Sequence, residues 1–336
     1  MIQKVAASEI RRICAAALLR AGAPESHARL QVDLLLEAEL RGRASHGLLR
    51  LPRIVARIRN GVADPRTSGR HDWQGDGLLH VDGECGLGPV VACAALDALM
   101  DRAATTGVAL AAIANNNHIG MLAFYAERVA TRGATLIALS TSEALVHAWG
   151  GTKAMLGTNP IAIGVPAAPL PFVLDMATSV VSMGQIHDHA LRDTPIPLGW
   201  ALDKAGKPTT DAKAACGGAI APFGEAKGYA LGLAFEVLVA GLTGAALGRA
   251  VRGTLDATEI CNKGDVFIVI RAARMEAMAA SIALYLDEIR DDAPAEGFRR
   301  VAIPGDRANA VRAERLRDGV PVAGNVWDDI VALARA

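Results

Sequence analysis

Hydrophobic positions recur with a helical period at the start of the chain. Ile10, Cys14, Ala17 and Leu18 share one face, and Leu30, Leu34, Leu35 and Ala38 share another after the break at Gly22-Ala23-Pro24. A third helix is predicted over 51–59, with Ile54, Val55 and Ile58 apolar, Pro52 in the first turn and Asn60-Gly61 as its stop. The pattern then alternates between short apolar runs and longer amphipathic ones. Strands are predicted over 78–81, 108–113, 136–140, 161–165 and 172–174, with helices over 90–105 and 121–131. Near the C-terminus a strand over 266–270 precedes a helix over 275–289. Helices over 308–317 and 327–335 then flank Gly319-Val320-Pro321. Helices at both ends and a mixed middle predict an α+β fold in which the termini pack together.

One run departs from this alternation. Between Gly228 and Gly248 the only charge in 21 residues is Glu236. That length suffices to cross a bilayer. Five glycines punctuate the run and a carboxylate near its middle would be costly in lipid, so a helix buried on all sides and ending near Gly241 is expected.

Composition narrows the function. The chain has 336 residues, 51% hydrophobic and 21% charged, which excludes intrinsic disorder. Lys plus Arg and Asp plus Glu are 35 each, so there is no basic excess to hold nucleic-acid phosphates. The five cysteines, Cys14, Cys85, Cys93, Cys216 and Cys261, are scattered without a CxxC pair and read as small buried hydrophobes. The N-terminal apolar run is flanked by Arg11, Arg12 and Arg20 and does not read as an export signal. The cytoplasm is the expected compartment.

Dinucleotide chemistry is not announced by the usual signatures. Gly86-Leu87-Gly88 lacks a third glycine, and neither a strand–GxGxxG–helix unit nor a GxxxxGK[ST] loop occurs. Other segments do carry chemistry-bearing side chains. Arg50 follows His46 by four residues and Arg53 by seven, so a helix there would place all three on one face. An imidazole beside guanidiniums suits proton transfer on a small anion, although a helix start capped by Ser45 with solvated basic residues explains the same spacing. Asn115-Asn116-Asn117-His118 joins a predicted strand to a helix expected from about Gly120, either as a polar turn or as a site at a helix N-terminus. Gly157-Thr158-Asn159-Pro160 forces a polar turn, a strand ends at Asp175, and Lys227 opens the long apolar run between glycines. His187-Asp188-His189 has no partner set at ligand spacing, so a solvated loop and no metal are expected. Ser45-His46 without a GxSxG elbow does not favour a hydrolase.

Six segments in order, RGRASHGLLRLPRI, NNNHIGMLAFYAERVA, WGGTKAMLGTNPIAIGVPA, FVLDMATSVVSMGQI, IPLGWALDKAGKPTTD and EAKGYALGLAFEVLVAGLTG, resemble the non-Rossmann malate/L-lactate dehydrogenase family over about residues 5 to 335. That family also contains sulfolactate, ureidoglycolate and diketogulonate enzymes and cyclic-imine carboxylate reductases. The resemblance implies an α+β fold in three parts: a helical domain of residues 1–75 with 305–336, an α+β core and dimerisation domain of 76–120 with 229–304, and a cofactor-binding domain of 121–228. It implies a cytoplasmic homodimer that uses NAD or NADP, which the sequence does not distinguish, to move a hydride to or from C2 of a small 2-oxo or 2-hydroxy acid. The alternative is reduction of a cyclic imine carboxylate such as 1-piperideine-2-carboxylate. A hydrolase or a silent binding protein is the reading from another class.

By match to the family's motifs, Ser45 and His46 would form the proton-transfer pair and Arg50 would hold the substrate carboxylate. His118 lies in the family's other histidine motif, which has also been assigned as proton acceptor and cofactor contact. Thr158 and Asn159 would line the substrate pocket. Gly120, Ser142, Asp175, Met176, Ala177, Lys227, Gly305 and Asp306 would contact the cofactor. The chain departs from the family at Gln185, where many members carry a charge, and at Ala230, where a glycine is usual.

Overall fold

The computed structural model describes residues 2–335. Strand β1 (Ile2–Val5) leads into helices α1 (Ala7–Arg20) and α2 (Glu25–Leu40). Two single 3₁₀ turns, Ala44–His46 and Leu48–Arg50, precede α3 (Leu51–Arg59). Strands β2 (Arg70–Gln74) and β3 (Leu78–Asp82), helix α4 (Gly88–Thr106), β4 (Val108–Ala114), α5 (Ala123–Ala130) and β5 (Thr135–Ser140) follow. Next come β6 (Val146–His147), β7 (Ala154–Leu156), β8 (Ile161–Val165), β9 (Phe172–Met176) and α6 (Met183–Leu191). Short β10 (Ala201–Leu202), β11 (Pro208–Thr209), α7 (Ala212–Cys216) and β12 (Ala219–Ile220) lead to α8 (Ala226–Thr243). The chain closes with β13 (Asp265–Ile270), α9 (Ala273–Arg290), α10 (Asp306–Asp318), β14 (Val320–Ala323) and α11 (Gly324–Arg335).

The architecture is α+β, as the alternation of periods predicted. The seven-stranded sheet runs β2-β3-β4-β13-β5-β8-β9, and β3–β4, joined through α4, is its parallel pair. Leu96 and Leu99 of α4 and Tyr125 of α5 pack on Phe267 and its neighbours in β13, all essentially inaccessible. β1 pairs with β14, and the apolar faces of α1, α2 and α3 close around Trp327 and Ile330, so the termini do meet. A smaller sheet, β11-β10-β12-β6-β7, forms a separate core with Ile186 and Ile196. Its strands are two or three residues long, too short for any period to show in sequence. The large sheet draws β2–β4 from before residue 120 and β5, β8 and β9 from after it, so the division expected at that residue runs through one hydrogen-bonded sheet.

Three local expectations are corrected. Residues 187–189 lie in α6, not in a loop; Ser182 caps that helix by accepting the Gln185 amide, and Asp188 pairs with Arg192 one turn on. The helix after His118 starts at Ala123, because Gly120 adopts a left-handed φ of 72° that interrupts any earlier helix. Helix α8 is buried on one side only. Gly228, Gly232 and Glu236 face inward, whereas Leu231, Val237 and Leu238 are 39%, 58% and 47% exposed. It ends where Gly244, at φ 68°, caps it.

A buried polar knot sits where the central strands end. Asp265 opens β13 in register with Ile113 of β4 and Ser140 of β5, and it is wholly inaccessible. Its carboxylate pairs with the buried Lys263 ammonium and accepts the Ser140 hydroxyl at 2.6 Å and the Asn116 amide at 3.4 Å. Removing one partner of such a pair strands a charge in a low-dielectric interior, at a cost of about 3–5 kcal/mol. Lys263→Met is therefore expected to lower the urea midpoint sharply. Adding Asp265→Leu to Lys263→Met is expected to recover most of that loss, which a double-mutant cycle measures.

Candidate active site

The stretch from Ser45 to Arg53 is not one helix. Two 3₁₀ turns bend it at Gly47, into which the Glu39 side chain packs, and Glu39 accepts the Leu48 amide at 2.9 Å. The bend still delivers His46, Arg50 and Arg53 to one cleft, where they meet His118, Gly120 and Thr254. Arg50 is held by two carbonyls, Ser45 O at 2.9 Å and Thr254 O at 3.2 Å. Among the described residues no carboxylate forms an ion pair with Arg50 or Arg53. Burial and the neighbouring Arg53 charge depress Arg50 to a pKa of about 10, with Glu143 opposing.

Each asparagine of the Asn115–Asn117 run has a structural task. Asn115 takes a positive φ of 52° and donates to Asp82; Asn116 donates to Asp265. Asn117 donates to the carbonyls of Cys85 and Gly86 and accepts Arg57 Nε at 2.8 Å. The loop then lies against Gly88 at the start of α4, where a Cβ would collide with the His118 carbonyl, so only glycine fits. His118 is thereby pinned with its ring centroid 5.6 Å from that of His46 and the planes tilted by 42°. Its Nδ1 accepts the Gly120 amide at 2.9 Å, while His46 Nδ1 lies 2.9 Å from Ser45 Oγ.

Both imidazoles are held neutral. Burial, then Arg50 and Arg43, pulls His46 down to about 3. Burial, then Arg50, His46, Lys263 and Arg53, holds His118 well below its usual range. The cleft is thus a cationic rim around two uncharged proton-handling rings.

Of the residues assigned to the cofactor, Asp175 and Met176 lie on β9, an edge strand of the large sheet. Ser142 Oγ accepts the Thr158 amide at 3.0 Å, and the Asp175 carbonyl accepts from Arg43 at 3.5 Å. The Asp175 carboxyl accepts the Ala123 amide at 2.9 Å, a contact that fixes the start of α5. Met176 and Ala177 continue from the strand end, and Gly305 lies against the Val173 carbonyl. Asp306 is committed to Arg290 at 2.9 and 3.1 Å. Lys227 is exposed on the first turn of α8, and its ammonium has no hydrogen-bond or ion-pair partner among the described residues. Asn159 does not line the cleft: it is fully enclosed, and its amide donates to Glu236 at 2.6 Å and to the Gly232 carbonyl at 3.0 Å. Gln185 is exposed at the start of α6, whereas Gly184 packs beside Ser45, so no charged side chain of α6 joins the Ser45–His46 pair.

Glu143 was not foreseen. Its Oε1 accepts the Thr254 amide and hydroxyl at 2.8 and 3.0 Å and the Leu255 amide at 2.9 Å, which fixes the carbonyl that grips Arg50. The one trace in sequence is an acid directly after Thr141-Ser142.

A family model described as malate/L-lactate dehydrogenase matches residues 5–331. The chain belongs to that family. It is 35% identical to an L-sulfolactate dehydrogenase of Methanocaldococcus jannaschii over 93% of this chain and 91% of that one. It is also 35% identical to a Delta(1)-pyrroline-2-carboxylate/Delta(1)-piperideine-2-carboxylate reductase of Pseudomonas aeruginosa, over 97% of both. A dehydrogenase structure from Sinorhizobium meliloti superposes with a TM-score of 0.95 at 50% identity, covering 99% of this chain and 98% of that one. As a malate/L-lactate dehydrogenase family member the protein is an oxidoreductase, and the family fold accounts for the missing GxGxxG.

The depressed His46 has a consequence for stability. Its folded pKa lies near 3, below the ordinary 6.5 of the unfolded chain. As pH falls through 6.5 the unfolded state gains a proton that the folded state refuses, so stability is lost from there down towards pH 3. The contribution is on the order of 1 kcal/mol per pH unit at its steepest. Urea midpoints measured from pH 7 to 4 are expected to fall less steeply in His46→Gln than in the parent.

Proposed function

We propose that the protein transfers a hydride between a nicotinamide dinucleotide and C2 of a small 2-hydroxy or 2-oxo acid that bears a second anionic group, in the cytoplasm. The observation that carries this reading is the pair of unpaired guanidiniums, Arg50 and Arg53, facing one cleft with two neutral histidines. Two cations in one cleft, with Arg53 depressing Arg50, call for two negative charges. One carboxylate on Arg50 fixes which carbon is presented, and a second carboxylate or a sulfonate meets Arg53. A cyclic imine carboxylate carries only one such group, so its reduction is the reading the second arginine disfavours.

The chain's residues fit the cofactor. The outer edge of β9 leaves backbone groups free beside Gly305, and Lys227 and Arg43 supply cations for a pyrophosphate. When bound, the nicotinamide supplies or takes the hydride at its C4. Ser45 and His46 then move the proton at the substrate's O2, with Ser142 assigned to the cofactor and Thr158, hydrogen-bonded to it, to the substrate pocket.

The second copy of a homodimer would cover α8 and α9. Leu231, Val237 and Leu238 on the first, and Leu284 and Tyr285 on the second, the latter two 72% and 62% exposed, form apolar surface that a monomer leaves in water. Light scattering on the parent is expected to give twice the chain mass, and Val237→Lys is expected to shift it towards the monomer.

Steady-state oxidation of NADH and NADPH tests the reaction, with oxaloacetate, sulfopyruvate, diketogulonate, pyruvate and the two cyclic imines as substrates. The dianionic oxo acids are expected to give the highest kcat/KM. Arg53→Met is expected to raise KM for them about 10²-fold, the worth of roughly one desolvated charge pair, with little change for pyruvate. Turnover with the imines alone would replace the oxo-acid reading.

A further inference from the structure

The two histidines of the cleft hold their inner nitrogens by partners of different kinds. His118 Nδ1 faces a backbone N–H, that of Gly120 at 2.9 Å, which only donates. His46 Nδ1 faces a serine hydroxyl at 2.9 Å, which both donates and accepts. An imidazole that accepts at Nδ1 and is neutral carries its proton on Nε2. Protonating His118 at Nδ1 would set two N–H groups against each other across that distance. The Gly120 amide does not turn away, because the residue sits at φ 72° with Leu34 packed where a Cβ would be, and the preceding loop is anchored through Asn117 and Asn116. His46 meets no such conflict: its serine partner also accepts, so the neutral ring can carry its proton on Nδ1 and leave Nε2 free to take a second.

We infer that the two histidines divide the work, with His118 locked as a neutral Nε2–H donor that polarises the substrate's O2 and His46 alone carrying the proton. This rests on the oxidoreductase reading above and assigns the roles within it. In oxidation of the hydroxy acid the C2–H electron pair leaves as hydride to the nicotinamide, the O2–H proton passes to His46 Nε2, and the C2=O2 bond forms. His118 donates its hydrogen bond to O2 throughout and ends with the proton it began with. The charged and titratable groups facing it are Arg50 and Arg53 of the Ser45–Arg59 stretch, His46, and Lys263 ahead of β13. All oppose a positive charge on the ring, in keeping with the geometry. A neutral imidazole donor beside a developing oxyanion strengthens as charge accumulates, without a proton-transfer step of its own.

Two readouts test the assignment on the full-length protein. Two-bond ¹H–¹⁵N spectra of the histidine-labelled parent without ligand, assigned by loss of the signal in His118→Gln, report the tautomer directly. The expected result is an Nε2–H ring whose shifts stay constant between pH 5 and 8. An Nδ1–H tautomer, or titration in that range, overturns the inference. The second readout is the pH profile of kcat/KM for oxidation of the hydroxy acid, in which protonation of His46 sets the acidic limb. His118→Gln, whose amide donates but carries no proton, is expected to keep the acidic limb and stay within about 10²-fold of the parent, whereas His118→Leu loses about 10²–10³-fold, the worth of one such donor. His46→Gln is expected to abolish the limb. Disappearance of the limb in His118→Gln overturns the inference. Absence of turnover by the parent on every acid and imine would sink the reaction instead, and the spectra would still decide the tautomer.

Discussion

Asp265 is the constraint on which the site depends. Three antiparallel strands end together at that point, and each releases a loop that serves the cleft. The loop after β4 carries His118, the loop after β5 carries Ser142 and Glu143, and the segment before β13 carries Lys263. A carboxylate with no solvent to satisfy it must recruit donors from its neighbours, and here the neighbours are Ser140, Asn116 and Lys263, drawn from all three segments. The desolvation cost of one buried charge thus becomes a geometric tie among three loops at one end of the sheet.

A second buried carboxylate repeats the device on the other side. Glu236, in the middle of the apolar α8, accepts from Asn159, Gly157 and Gly248. It fixes the turn that leads into β8 and the start of the loop running to Thr254. The helix that resembles a membrane span is therefore registered by polar contacts on its inner face, and its apolar outer face remains as surface. Between these two anchors the cleft keeps a surplus of positive charge. Arg50 is held by carbonyls alone, which position a guanidinium without neutralising it. In the function proposed above, an anionic substrate balances that charge.

The large elements were legible because each obeys one period over many residues. Strands β4, β5, β8 and β13 and helices α4, α8 and α9 stand within a few residues of where apolar spacing puts them. What the sequence hid follows from geometry that spacing does not encode. The Ser45–Arg50 segment turns by two 3₁₀ steps, yet His46, Arg50 and Arg53 still converge, since the bend at Gly47 preserves the side that faces the cleft. Asn159 looked like a pocket residue and proved to be an anchor, because its partner Glu236 lies 77 positions away. Glu143, Lys263 and Asp265 act only through folding that brings distant segments together. The short strands of the small sheet carry no period at all.

The nature of a hydrogen-bond partner decides what a catalytic ring is able to do. A hydroxyl is reversible, donor or acceptor by rotation, and an imidazole resting on it gains or loses a proton with its orientation kept. A main-chain amide is irreversible and freezes the tautomer of the ring that rests on it. Ser45 is next to His46 in the chain, so the reversible partner comes with the motif itself. The irreversible partner requires a residue two positions beyond His118 whose backbone turns left-handed beneath Leu34, a requirement met by Gly120. Two similar rings 5.6 Å apart are thereby made chemically unequal by one serine and one glycine.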